Sequence, residues 1–211
     1  MGIVIYPFVD LERFSVSQLD NQPVGQSASR KKGKRRENSF TAKLPNCQTG
    51  FFLIVSRLAR WKRFDIVIKA CNKLKQPLVV VGEGPDRKRL EKMAGPTVKF
   101  LGRLSDEDVV KCFKLSRALI FPQKEDFGMT PLEAMAAGKP VVAYKKGGAI
   151  ETILPGETGE FFYPQSVRAV TDAISQFDER RFRADVCREQ AEKFSRIRFE
   201  ARINEFVERV I

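Results

Sequence analysis

Two carboxylates, Glu125 and Glu133, stand with seven residues between them in Glu-Asp-Phe-Gly-Met-Thr-Pro-Leu-Glu-Ala-Met-Ala-Ala-Gly-Lys, residues 125–139. The apolar run before them, 118–122, reads as a buried strand. Gly128 lets the backbone turn closely. Thr130 is expected as N-cap, Pro131 as the first helical residue and Gly138 as the stop. Strand, glycine turn and helix start form an anion site in α/β proteins, where free N–H groups and the positive end of the helix dipole meet phosphate. Gly128, Met129 and Thr130 supply that backbone. Glu133 has two readings. It closes a capping box with Thr130, or it accepts hydrogen bonds from a ligand. Glu125 lies where an acid repels phosphate, so it suits sugar hydroxyls or a developing positive charge.

Arg57 and Lys62 follow the first strong strand and could both face a phosphate at that helix start, Arg as a planar fork and Lys as a point charge. The plainer reading is two solvated cations among 38. Gly82-x-Gly84-Pro85 falls short of a full dinucleotide fingerprint, and Gly147-Gly148 is equally unspecific; each permits close approach of a ligand or makes only a turn.

Composition excludes several chemistries. The chain has 211 residues and no histidine, so it holds no histidine base, Ser-His-Asp triad or histidine metal ligand. Cys47, Cys71, Cys112 and Cys187 form no CxxC, which disfavours zinc. Cys71 and Cys112 fall in amphipathic patterns and read as reduced core thiols, consistent with a cytoplasmic setting. No apolar run approaches the roughly 20 residues of a membrane span. The N-terminus lacks the basic region and cleavage site of an export signal, so no export is expected. The net charge is +12, and residues 30–36 carry six positive charges and no acid. That run reads as a solvated loop or as a contact to anionic headgroups or nucleic acid. No aromatic residue interleaves it, which disfavours base stacking, so no specific nucleic acid is expected.

These groups need a frame. Strands are expected at 51–55, 77–81, 98–101, 118–121, 140–144 and 159–162, with helices between them and at 167–177, 179–193 and 196–210. Six alternations with short loops predict an α/β fold, a Rossmann-like doubly wound parallel sheet of about six strands. Ligands bind at the carboxyl edge of such sheets, and that edge gathers Arg57, Lys62, Gly82, Gly84, Arg103, the 125–130 loop and Gly147-Gly148. The opposite edge is expected to be unremarkable. The chain divides into a linker strand (1–14), a flexible basic insertion (15–49), a Rossmann-like domain (50–178) and C-terminal helices (179–211).

Glu125-x7-Glu133, with Phe127-Gly128 inside it and residues 134–142 after it, resembles the signature of family-4-type retaining glycosyltransferases of the GT-B architecture. Residues 55–62, 81–85, 100–102 and 147–151 resemble further family blocks in the expected order, and 3–10 with Phe14 resembles the entry to the C-terminal, donor-binding domain. The resemblance implies transfer of a sugar from a nucleoside-diphosphate sugar to an acceptor hydroxyl with retention, and no cofactor or required metal. It implies that Arg57, Lys62 and the backbone of Gly128, Met129 and Thr130 hold the diphosphate. Glu133 would take the ribose, Glu125 would face the donor sugar as the catalytic group, and the loop at Arg103-Leu104 would line the base pocket with the Gly82/Gly84 turn.

The sequence departs from the family in lacking the N-terminal Rossmann domain and in the length and charge of 15–49. The chain is therefore expected to be a fragment or split gene product that is inactive alone and is completed by that domain in cis or in trans. A peripheral position at an anionic inner membrane face is compatible with this. Two rivals stand beside this reading: a non-catalytic module recruited through 30–36, and a sugar-nucleotide epimerase of the same architecture, which the Glu125-x7-Glu133 block fits less well.

Overall fold

The computed structural model describes residues 6–14 and 50–210. The insertion 15–49, with its basic run and Cys47, lies outside the described residues, as does most of the expected strand at the N-terminus. Six parallel strands form one sheet: β1 (Phe51–Val55), β2 (Leu78–Val81), β3 (Val98–Gly102), β4 (Ser116–Phe121), β5 (Val141–Tyr144) and β6 (Gly159–Phe162). The order is β3-β2-β1-β4-β5-β6. β1 and β4 are neighbours in space with two strands between them in sequence. The direction of winding reverses there, and such a switch point opens a crevice at the carboxyl ends.

β1 is apolar at every position because both faces of the sheet are covered. Its side chains alternate between two cores. Phe51 and Leu53 share one with Val110 and Phe113 of α3 (Asp106–Leu115), Leu132 and Met135 of α4 (Met129–Ala136), and Cys187 of α7 (Ala184–Glu192). Phe52 and Ile54 share the other with Phe64 and Val67 of α1 (Phe64–Leu74), Leu90 of α2 (Arg87–Met93), and Val170 and Ile174 of α6 (Val167–Gln176). A short helix, α5 (Ala149–Thr152), follows Gly147-Gly148. Ser105 caps α3 as expected, its Oγ accepting from the Asp108 N–H at 3.3 Å, with three acids in the first turn facing the positive helix end. Cys71, Cys112 and Cys187 are buried free thiols. Burial pushes the first two up to about 12 and Cys187 to about 11.

Three expectations change. α4 begins at Met129 with Gly128 (φ 83°) in the cap position and no side-chain cap, so Thr130 lies inside the helix and closes no capping box with Glu133. Left-handed backbone at Gly128 starts the helix earlier than the Thr-Pro pattern suggests. Residues 6–14 form no strand; they make one bridge, Val9 with Ser195, and a 3-10 turn at Glu12–Phe14. The opposite edge holds an open cavity of about 450 Å³ lined by Arg117, Lys139 and Glu179 among others. Lys139 there lies just past the negative end of α4, where a cation is favourable. The last helix, α8 (Arg196–Val210), buries none of its residues, and Ile197 and Val210 are exposed.

The loops leaving β1, β2 and β3 are clamped to one another. The Ser56 N–H donates to the Val81 carbonyl at 3.0 Å, Leu58 N–H to Glu83 at 2.8 Å, and Gly82 N–H to Gly102 at 2.7 Å. Gly82 has φ 125°, and a Cβ there would lie 1.9 Å from the Ser56 carbonyl oxygen. Gly82→Ala is expected to lower the unfolding free energy by about 3 kcal/mol in a urea titration. A loss under about 1 kcal/mol would show that this loop contact is not a fixed part of the fold.

Candidate functional site

The carboxyl edge of the sheet brings Lys62 and Glu125 together. Lys62 ends a 3-10 turn, Arg60–Lys62, between β1 and α1. Its Nζ donates to Ser56 Oγ at 2.6 Å and pairs with Glu125 Oε1 at 2.8 Å. Both partners of the ion pair are mostly buried, with side-chain exposures of 13% and 23%. Glu125 sits in the loop after β4, and the same Oε1 accepts a longer bond from Gln123 Nε2 at 3.3 Å. Gln123 is itself buried, which fixes its amide.

The backbone of the Glu125 loop is held from the next loop. Gly148 N–H donates to the Glu125 carbonyl at 2.8 Å. A Cβ on Gly147 would fall 2.2 Å from that carbonyl oxygen, and one on Gly148 2.4 Å from the Phe127 backbone. The Gly147-Gly148 pair is thus required by the approach of two backbones, whatever a ligand adds.

Beyond this loop lies the start of α4. No side chain caps it, and Met129 is exposed. The N–H groups of the first turn and the dipole make this end electropositive. Glu133 lies one turn further on. Burial raises its carboxyl above the ordinary range; Arg13 draws it down and Asp106 pushes it up. An acid held partly out of water without a cap to serve is a functional candidate.

The remaining expected residues share this edge without joining the central contact. Arg57 and Arg103 are exposed and make no ion pair with any described residue. Gly84 lies against the Leu58 backbone, and Leu104 packs on the core cluster that contains Leu132. Thr130 is half-buried within the first turn of α4. Sequence reasoning missed Ser56 and Gln123, although each stands beside a residue it singled out: Ser56 before Arg57, and Gln123 two before Glu125. It also missed Tyr6 and Arg13, which nothing in the local pattern marks. Among the described residues no three acidic or cysteine side chains converge as a metal site requires, and no helix is long and apolar enough to cross a membrane.

In sum the edge offers two exposed arginines, a lysine already paired to an acid, an open helix start and a second, buried acid. That set can bind an anion and hydroxyls side by side. Comparison with known proteins bears on the family and the fold. The chain is similar to the D-rhamnosyltransferase WbpZ of Pseudomonas aeruginosa, 35% identical over 132 residues, covering 59% of this chain and 35% of that protein. It is 32% identical over 138 residues to the GDP-mannose-dependent alpha-(1-6)-phosphatidylinositol monomannoside mannosyltransferase of Mycolicibacterium smegmatis, covering 57% and 36%. In fold it is similar to the sucrose-phosphate synthase of Thermosynechococcus elongatus, with a TM-score of 0.77 at 24% identity over 98% of this chain and 52% of that one. It is also similar to HepE of Anabaena in complex with UDP, with a TM-score of 0.74 at 24% identity over 98% and 57%. The chain thus spans roughly a third of those two curated relatives and about half of the two solved structures. Residues 35–194 match the family described as glycosyl transferases group 1, a match that begins inside the stretch 15–49. This chain is a member of the glycosyl transferases group 1 family, with the Rossmann-like sheet of its GT-B-type relatives.

Proposed function

We propose that the chain is the donor-binding domain of a retaining glycosyltransferase that moves a sugar from a nucleoside-diphosphate sugar to an acceptor hydroxyl. The observation that carries this reading is the Lys62–Glu125 pair beside the uncapped start of α4. A diphosphate placed there meets the first-turn N–H groups of α4, Arg57 and Lys62. It competes with Glu125 for the lysine. As the phosphate takes Lys62, Glu125 is left on Gln123 and free to accept sugar hydroxyls or face the positive charge that develops at the anomeric carbon. Charge grows on the leaving diphosphate as the glycosidic bond breaks, and fixed cations and N–H dipoles stabilise it without reorganising. Glu133 takes the ribose hydroxyls, and the Arg103-Leu104 loop lines the base. The UDP in the HepE structure supports this class of ligand. Because the chain spans about half of that protein, transfer itself needs a second domain to complete the cleft.

Calorimetric titration with UDP, GDP and ADP, each with and without its sugar, tests the reading. At least one nucleoside diphosphate is expected to bind, and Lys62→Met is expected to weaken it about tenfold or more, as loss of a charged hydrogen bond implies. Failure of all six compounds to bind at millimolar concentration would sink the assignment.

Glu133 gives a second prediction with opposite signs for stability and binding. Its folded-state pKa is raised, so the folded chain holds that proton more tightly than the unfolded chain. Its contribution to stability is full below the unfolded value and is lost as pH rises through the folded one. At neutral pH Glu133→Gln is therefore expected to raise the urea midpoint while nucleotide affinity falls about tenfold. A midpoint that falls, or an affinity that holds, would count against the carboxylate as the ribose acceptor.

A further inference from the structure

The segment before the sheet packs against the loop that carries Glu125 and against the start of α3. At its start, the Tyr6 ring stacks on Phe127, with centroids 5.7 Å apart and planes at 25°. Both rings meet Phe194, at 5.7 Å and 5.8 Å. Phe127 lies between Glu125 and Gly128, so this aromatic cluster backs the loop that carries the first acid. The Tyr6 hydroxyl faces Glu151, which follows Gly147-Gly148, and that carboxylate is the main cause that raises the phenol. The Gly147-Gly148 turn is the one that holds the Glu125 carbonyl.

At the other end, Arg13 Nη2 pairs with Asp106 Oδ1 at 2.9 Å in the first turn of α3. The charges acting on Glu133 are this guanidinium from the 3-10 turn and this aspartate from α3. Between the two ends the segment is fastened. The Val9 N–H donates to the Phe194 carbonyl at 2.9 Å, and Phe14 is buried with its ring edge-on to Phe113 at 6.0 Å. Phe14 shares its core cluster with Leu132, next to Glu133.

We propose that residues 6–14 are a two-point support of the donor site, with Tyr6 positioning the Glu125–Thr130 loop and Arg13 positioning the Glu133 carboxylate. The proposal rests on the reading of this edge as the site of a nucleoside-diphosphate sugar. Neither residue touches that ligand. Each acts through another: Tyr6 through the Phe127 ring and the Glu151 carboxylate, Arg13 through its charge, which Asp106 fixes in place. The loop at 122–128 has no regular structure; Lys62, Gly148 and Gln165 tie it at Glu125 and Pro122, and the Tyr6 and Phe194 rings tie it at Phe127, the kind of packing without which such a loop opens locally. The Arg13 charge opposes the larger upward push that burial gives the Glu133 carboxyl.

Two readouts need no ligand. In amide hydrogen exchange, Tyr6→Leu is expected to speed exchange across 125–130 about tenfold relative to β1 and β4, with Tyr6→Phe intermediate because it keeps the stack and loses the hydroxyl. In a carbon-13 titration of the Glu133 carboxyl, Arg13→Gln is expected to move the midpoint to higher pH, and Arg13→Lys to restore it. With UDP or GDP, whichever binds, the pH at which affinity falls should rise in Arg13→Gln by the same amount. Unchanged exchange in Tyr6→Leu, or a rise as large in β1 and β4 as in the loop, overturns the support at Tyr6. An unmoved Glu133 titration overturns it at Arg13. A chain that shows both ligand-free changes yet binds no nucleotide would overturn the donor-site reading and leave the two-point support standing.

Discussion

Lys62 and Glu125 sit on loops from β1 and β4, strands far apart in sequence and adjacent in the sheet. Their contact at 2.8 Å exists only because the sheet reverses its winding between those strands. The rest of the site depends on this. The clamped loops after β1, β2 and β3 hold Ser56 where it fixes the ammonium, and Gly147-Gly148 holds the backbone of the acid. A buried pair of this kind is weak evidence for stability, because desolvation offsets much of the attraction. Under the function proposed above, it is two groups held against each other until an anion separates them.

Much of the frame was legible. All six strands, the cap of α3 and the gathering of Lys62, Glu125 and the Gly147-Gly148 turn at the carboxyl edge follow from apolar runs, turn residues and alternation. What was not legible has identifiable causes. The start of α4 is set by the left-handed conformation of Gly128, which outranks the local Thr-Pro preference and removes the capping reading of Glu133. The pairing of Lys62 with Glu125, and the role of Ser56 between them, needs the strand order, which no local pattern encodes. Tyr6 and Arg13 lie in a segment with no period at all, so their contacts depend on docking against Phe127, Phe194 and α3. Pro7, which lacks an N–H, helps explain why that apolar segment makes one bridge where a strand was expected.

Glu133 shows the tension between folding and binding in one side chain. A carboxylate half removed from water is unfavourable to the fold, yet the same position puts it one turn into a helix whose start is left open. Natural proteins keep such locally unfavourable groups where a ligand repays them. The buried thiols of Cys71, Cys112 and Cys187 illustrate the opposite case. Their raised pKa values follow from burial in packed cores, and they serve packing without reactivity.

The turn that carries Lys62 also carries Trp61, the chain's one tryptophan, which is 60% exposed with the Lys62 ammonium 5.1 Å from its ring centroid. An indole responds to the charge lying over its face. Because the chain holds a single indole, its indole emission is the signal of one position rather than an average over the molecule, and that position shares a turn with the lysine that the proposed function has changing partners. On that proposal the protein carries its own optical probe of where the ammonium rests.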